Sequence, residues 1–305
     1  MHNPVICSNV ITPSRLPNRK SESARLADDS VFHAGHCNFA RNFKIRSRFK
    51  SHSKIVRALV NMKLFATELL SGILELLYPP ICLVCGGEER EPFCHCCREG
   101  VIPVQPPFCD RCGALVDAGR LVCESCERQN PPYDWVHSLG RYEGSLEKAI
   151  HLLKYEGKTA LARPLGKLLA DSLKRDERLF DHRQENSPLF DFIVPTPLHS
   201  ARRRERGFNQ SELLAQMIAK ATGWKLNASG LIRVRKTRIQ ARLNRVERIG
   251  NVVGAFETVK PFYFKGKSIL LVDDVMTTSS TLRECARVLK NDGASRVCLA
   301  VLARG

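Results

Sequence analysis

Ser268-Ile-Leu-Leu-Val-Asp-Asp-Val-Met-Thr-Thr-Ser-Ser-Thr-Leu282 is the stretch on which the fold of this chain turns. Ile269 to Val272 is an unbroken apolar run, the pattern of a strand buried on both faces, and Leu282, Ala286, Val288 and Leu289 then follow at helical spacing. The acidic and hydroxyl residues between them therefore sit where a strand meets a helix. In open α/β sheets ligands collect at the carboxyl ends of strands, and an anion there meets unpaired N–H groups and the positive end of the helix dipole. Thr277, Thr278, Ser279, Ser280 and Thr281 are expected to cradle a phosphate. Asp273 and Asp274 can accept hydrogen bonds from two sugar hydroxyls, or help hold a metal that bridges sugar and pyrophosphate. The plain alternative is a strand end whose acidic pair caps a helix.

A second strand-turn-helix segment begins at Asp191 and carries Pro195, Thr196 and Pro197, then a helix from about Ser211. Arg202, Arg203, Arg204 and Arg206 are read as lying in the connection before that helix, where guanidinium forks match the oxygens of a pyrophosphate. A solvated charge run is the competing explanation. Gly207, Phe208, Asn209 and Gln210 give the connection a tight turn, an anchor and neutral donors.

Cysteine spacing is the third signal. Cys82-x-x-Cys85, Cys94-x-x-Cys97, Cys109-x-x-Cys112 and Cys123-x-x-Cys126 are knuckle pairs of the zinc-binding kind. Gly86, Gly87 and Gly113 follow the pairs and allow the turns that knuckles need. Two structural zinc ions are the simplest count, one on Cys82, Cys85, Cys94 and Cys97, the other on Cys109, Cys112, Cys123 and Cys126. Interleaved pairing stays open, and Cys96 competes within the first site. Four sulfurs close the coordination shell, so the metal is read as a folding element, in a segment too poor in large apolar residues to build its own core. A disulfide framework is the alternative. Reduced thiols in a cytoplasmic protein fit better, because no secretory signal is evident.

The organisation follows. Residues 1–61 read as a disordered basic extension, with a start assigned too far upstream as one explanation; 62–80 form an amphipathic helix; 81–130 form a double zinc ribbon; 131–305 form an α/β domain. Strands are expected at 135–142, 192–194, 231–234, 269–272 and 297–302, alternating with helices at 145–154, 165–173, 211–221 and 281–291. That alternation favours a parallel sheet flanked by helices. The most apolar helix candidate, 63–78, is interrupted by Glu68 and Glu75 and is too short to span a bilayer. A formal net charge of +17, with Arg202 to Arg206 and Arg233 to Arg248 strongly basic, calls for an anionic partner.

The run Val272, Asp273, Asp274, Val275, Met276 through Thr281 resembles the phosphoribosyl pyrophosphate (PRPP) signature of type I phosphoribosyltransferases. Ser279 stands where that pattern has glycine. Arg206-Gly-Phe-Asn-Gln210 resembles the signature of the ComF family, whose members are associated with DNA uptake in natural transformation and with use of external DNA. The resemblance runs from about Leu74 to Gly305 and includes Tyr142 to Tyr155 with Lys154, the 231–256 segment with Thr237, Gln240, Arg245 and Asn251, and the cysteine pairs.

It implies a type I phosphoribosyltransferase fold behind a zinc-ribbon module, and Mg²⁺-dependent transfer of phosphoribosyl from PRPP to an unknown acceptor. Asp273, Asp274 and Arg206 would carry the chemistry, and Pro195 to Gln210 would receive pyrophosphate. Residues 238–251 would form a mobile loop over the site, with a surface helix bearing arginines on one side as the alternative. A hood for the acceptor would come from residues 131–163 or from the ribbons. The rival reading is a non-catalytic protein that senses PRPP or docks single-stranded DNA. Proteins of the DNA-uptake machinery are implied partners in either case.

Overall fold

A computed structural model describes residues 80–179, 189–237 and 245–305; the expectations for 1–61, for residues 62–79 of the helix expected over 62–80 and for residues 238–244 fall outside them. The order is α1 (His95–Glu99), α2 (Glu124–Gln129), β1 (Val136–Arg141), α3 (Gly144–Tyr155), α4 (Ala162–Lys174), β2 (Phe192–Pro195), α5 (Ser200–Arg206) and α6 (Gln210–Thr222). It continues with β3 (Leu231–Arg233), α7 (Arg245–Val252), β4 (Phe256–Thr258), β5 (Ser268–Met276), α8 (Ser280–Asn291) and β6 (Arg296–Arg304).

Four strands form a parallel sheet in the order β1-β6-β5-β2. Its centre is apolar on both faces because helices cover both: Ile269, Leu270, Leu271 and Val272 of β5 and Val297 to Leu302 of β6 are fully buried. One face packs against α3, α4 and α6 through Leu146, Leu165, Leu169 and Leu214, and the other against α8 through Leu282, Ala286 and Leu289. The ribbons join these two cores. Val84 and Phe93 pack with the first, Cys109, Cys112 and Cys126 with the second, beside Tyr133 and Val136.

Two expectations are corrected. The strand expected at 231–234 lies outside the parallel sheet and pairs antiparallel with β4, a strand not anticipated. Its burial alternates, Leu231 in and Ile232 out, as on a ribbon with one wet face. Gly230 permits the entry, since a Cβ there would stand 2.6 Å from the Phe264 ring. Second, the arginines of 202–206 lie on a helix, not in an open connection. Ala201-Arg-Arg-Arg-Glu-Arg206 are good helix formers, His199 Nδ1 caps the start by accepting from the Ala201 N–H at 3.2 Å, and Gly207 ends it at φ +83°.

Candidate functional site

The carboxyl ends of β2 and β5 open into a cavity of about 600 Å³. β5 brings Asp273 and Asp274 to its floor, and both are buried. Asp273 Oδ1 accepts from Ser211 Oγ at 2.7 Å and from the Asp274 N–H at 2.9 Å. Burial and the neighbouring Asp274 carboxylate push Asp273 up, to about 6. Asp274 Oδ1 accepts from Lys154 Nζ at 3.0 Å and from the Val275 N–H at 2.8 Å. Burial alone would lower Lys154, yet the two carboxylates hold it above its ordinary value. The ion pair lets an acidic floor persist in a buried place.

The loop from Thr277 to Ser279 then leads into α8, whose first N–H groups have no partner within the helix. Thr278 Oγ1 and Ser280 Oγ lie 3.0 Å apart, and Ser279 Oγ donates to the Thr278 carbonyl at 2.6 Å. Ser279 itself has φ +59°, the left-handed region that glycine enters freely and a serine does not. The backbone the family pattern gives to glycine is therefore kept here by a residue with a Cβ.

The facing wall is basic. Arg202 and Arg206 of α5 line the cavity, with Tyr142, Tyr155, His199, Arg233, Lys236 and Thr237. Arg206 Nη1 donates to Gln210 Oε1 at 2.5 Å, and its guanidinium lies 5.8 Å from the Tyr155 ring centre. Burial, then Arg202, lowers Arg206, and burial lowers Arg233. Three buried side-chain atoms of the lining residues, Asp274 Oδ2, Thr196 Oγ1 and Arg233 Nε, have no hydrogen-bond partner among the described residues. Buried polar groups are rarely left so, and a polar ligand or water in the cavity would supply their partners.

Not every expected residue reaches the cavity. Asp273, Asp274, Val275, Met276, Thr277 to Thr281, Thr196, Pro197, Arg202, Arg206 and Gln210 do. Val272 and Pro195 are buried strand residues paired with each other, and Phe208 packs on the core. Asn209 caps α6 by accepting from the Ser211 N–H and donates to the Thr196 carbonyl at 3.0 Å. Gly207 caps α5. Arg203 turns to Glu212 at 3.0 Å, and Arg203 and Arg204 are exposed. The loop expected over 238–251 is helical from Arg245 onward. Sequence reasoning gave Ser211 and Arg233 no place in the site; a hydroxyl in the first turn after Asn209 was the available signal for Ser211.

The cysteines gather as the two tetrads expected, Cys82, Cys85, Cys94 and Cys97, and Cys109, Cys112, Cys123 and Cys126, with all sulfurs of each within 4.8 Å. Cys82 to Cys97 is 3.8 Å, and Cys85 to Cys94 and Cys112 to Cys123 are each 3.7 Å. A tetrahedron with Zn–S of about 2.3 Å has edges of about 3.8 Å, so the donor sets fit zinc. Against burial, backbone N–H donors pull Cys82 down to about 6 and Cys109 to about 7, while burial raises Cys94, Cys97, Cys112 and Cys126, so without a cation each tetrad favours one thiolate among protonated thiols. Gly86 and Gly113 make the knuckle turns at φ +79° and +69°. Among the described residues no helix is long and apolar enough to cross a membrane.

Residues 73–127 match the double zinc ribbon domain, and residues 228–305 the phosphoribosyl transferase domain. The "DNA utilization protein YhgH" of Salmonella typhi is 33% identical over 75% of this chain and 99% of its own length. "Competence protein F" of Haemophilus influenzae is 29% identical over 73% of this chain and 96% of its own, and "Competence protein ComFC" of Bacillus subtilis 26% over 70% and 90%. A double zinc ribbon followed by a phosphoribosyltransferase domain, shared with these relatives over almost their whole length, places this chain in the ComF family.

Proposed function

We propose that the cavity binds PRPP and that the protein transfers its phosphoribosyl group to an acceptor whose identity the cavity leaves open. The observation that carries the reading is the meeting of an acidic pair, a hydroxyl-lined turn at a helix start and a basic wall around one cavity, with buried polar atoms left unpartnered there. The Thr277 to Thr281 turn holds the 5′-phosphate through backbone N–H and hydroxyl donors. Asp273 and Asp274 accept from the ribose hydroxyls and fix the sugar. Arg206 and Arg202 neutralise the departing pyrophosphate, so positive charge developing at the sugar carbon is separated from a stabilised anion. Mg²⁺, when bound, supplies further charge neutralisation on the pyrophosphate, and the partnerless Asp274 Oδ2 is an oxygen of the hard type it prefers. Tyr142 and Tyr155, from the segment expected to supply the hood, cover the acceptor side. The relatives' names support work on imported DNA, alongside proteins of the uptake machinery, and thiol-rich ribbons suit a cytoplasmic setting.

Calorimetry with PRPP and Mg²⁺ tests the binding step, and pyrophosphate release across candidate acceptors tests the chemistry. Binding is expected, and Asp273→Ala with Asp274→Ala is expected to abolish it while zinc content stays unchanged. Affinity equal to that of the native chain would remove the assignment.

A second reading is favoured by Arg204, exposed on α5 beside the cavity, with Arg203 exposed next to it and paired with Glu212. They extend the basic wall onto the surface, as a single-stranded DNA grip or a PRPP sensor would. DNA affinity that falls steeply with salt, together with PRPP binding but no turnover, would favour that reading.

A further inference from the structure

The phosphate turn is held from outside by two arginines, one bonded to Cys112 of the second cysteine tetrad and the other to Gln129 on the helix that carries Cys126. Arg304, at the end of β6, donates from Nε to the Cys112 carbonyl at 3.1 Å. Its Nη1 donates to the carbonyls of Met276 at 3.0 Å and Thr277 at 2.9 Å, where β5 passes into the turn. The Gly305 carbonyl accepts from the same nitrogen. At the far side of the turn Arg283, in the first turn of α8, donates through Nη1 to the side chain of Gln129, the last residue of α2. Its backbone N–H donates to the Ser279 carbonyl at 2.8 Å. α2 begins immediately after Cys123 and contains Cys126. Entry and exit of the turn are thus each tied to a segment that carries metal ligands. The first ribbon is tied elsewhere: the Cys97 carbonyl accepts from Ser145 Oγ at 2.7 Å, at the start of α3.

The geometry has a consequence for the site. In a trans peptide the carbonyl and the following N–H point in opposite directions. Arg304 grips the Thr277 carbonyl and shares the Met276 carbonyl with the Gly305 N–H at 3.1 Å, so the N–H groups of Thr277 and Thr278 turn the other way. A guanidinium suits this task, because its donors form a rigid fork that can serve several carbonyls at once, whereas an ammonium is a mobile point charge.

We propose that Arg304 and Arg283 make the second zinc ribbon a positioning element of the phosphate turn. With the tetrad of Cys109, Cys112, Cys123 and Cys126 closed on its metal, the Cys112 carbonyl and Gln129 are fixed, and through the arginines so are residues 276–279. With that tetrad open, the turn loses its outer support and its affinity for a phosphate ester falls. Metal occupancy at one site then controls ligand affinity at another. The affinity part rests on the PRPP reading given above; the ordering of the turn does not.

The test uses the full-length zinc-loaded protein with Arg304→Lys and Arg283→Gln, and Arg98→Gln in the first ribbon as control. Zinc content, amide hydrogen exchange over residues 276–281, and PRPP affinity by calorimetry are read together. Arg304→Lys is expected to keep both zinc ions, to accelerate exchange in the turn but not in β2, and to weaken PRPP by roughly tenfold, a usual size for coupling between sites. Arg283→Gln should act in the same direction, Cys123→Ser should reproduce the effect with one zinc lost, and Arg98→Gln should change neither readout. If the native protein binds no PRPP, the function proposed above fails and hydrogen exchange alone decides this inference. Native exchange in the turn of both arginine variants, with zinc retained, overturns it even if Cys123→Ser does not fold.

Discussion

Ser279 shows how much a single backbone angle can carry. Its φ of +59° places a Cβ where L-residues lose about 1–2 kcal/mol, and its hydroxyl is bonded back to the Thr278 carbonyl. Ser279→Gly relieves that strain but adds about 0.4–1 kcal/mol of unfolded-state entropy. The balance should be a gain of about 0.5 kcal/mol, read by denaturant unfolding. Ser279→Val, with a branched Cβ that the left-handed region excludes more strongly, should lose about 2 kcal/mol and weaken phosphate binding. Equal stability of the two variants would show that the turn does not hold this angle in solution. Resemblance to the family pattern identified Ser279 as the departure; that the backbone keeps the glycine conformation came only from the structure, because dihedral angles are not written in residue type.

Elements show where local reading succeeds and where it stops. β5 and α8 were legible because their apolar periods are uninterrupted, and α6 and α4 for the same reason. β3 was misplaced because three residues of alternating burial look alike in either kind of sheet, and its partner β4 is as short. The start of β1 depends on a cluster no motif announces. His137 Nδ1 lies 2.6 Å from Asp176 Oδ2 and its Nε2 2.9 Å from Ser172 Oγ, and Arg178 donates to Asp176 at 2.7 Å and to the Val136 carbonyl at 3.2 Å. Burial works to raise Asp176, but the Arg178 guanidinium and His137 hold it well below the usual carboxylate range. A carboxyl depressed on folding contributes stability above its unfolded value of about 3.9, and that contribution is lost as pH falls through and below it. Asp176→Ala should therefore cost about 3 kcal/mol at neutral pH, the low end for a broken buried pair since Arg178 keeps a solvent-facing side. Chemical unfolding from pH 7 to 2 should show the gap between variant and native protein narrowing toward acid; a constant gap would contradict the assignment.

At the scale of the molecule, the ribbons and the sheet share cores, so metal loss cannot remain local. Phe93 and Val84 pack in one cluster with Leu146, Ile150 and Leu153 of α3, the helix that ends in Lys154 and Tyr155. Structural zinc contributes on the order of 10 kcal/mol per site to folding. Cys97→Ser is expected to lose one of two zinc ions by atomic absorption and to accelerate amide exchange through residues 146–153; protection there equal to the native level would show that the first ribbon is an independent appendage. What the sequence determined alone was chemistry that is local in the chain: the buried strand, the acids and hydroxyls that follow it within one turn, and the cysteine pairs, each set by side-chain period or by the reach of two neighbouring thiolates. What only the tertiary structure decided was which distant residues meet. Lys154 against Asp274, Ser211 against Asp273, and Arg304 between Cys112 and the turn after β5 are separated by long stretches of chain, and nothing but the packing of the sheet and its helices brings them within hydrogen-bond reach.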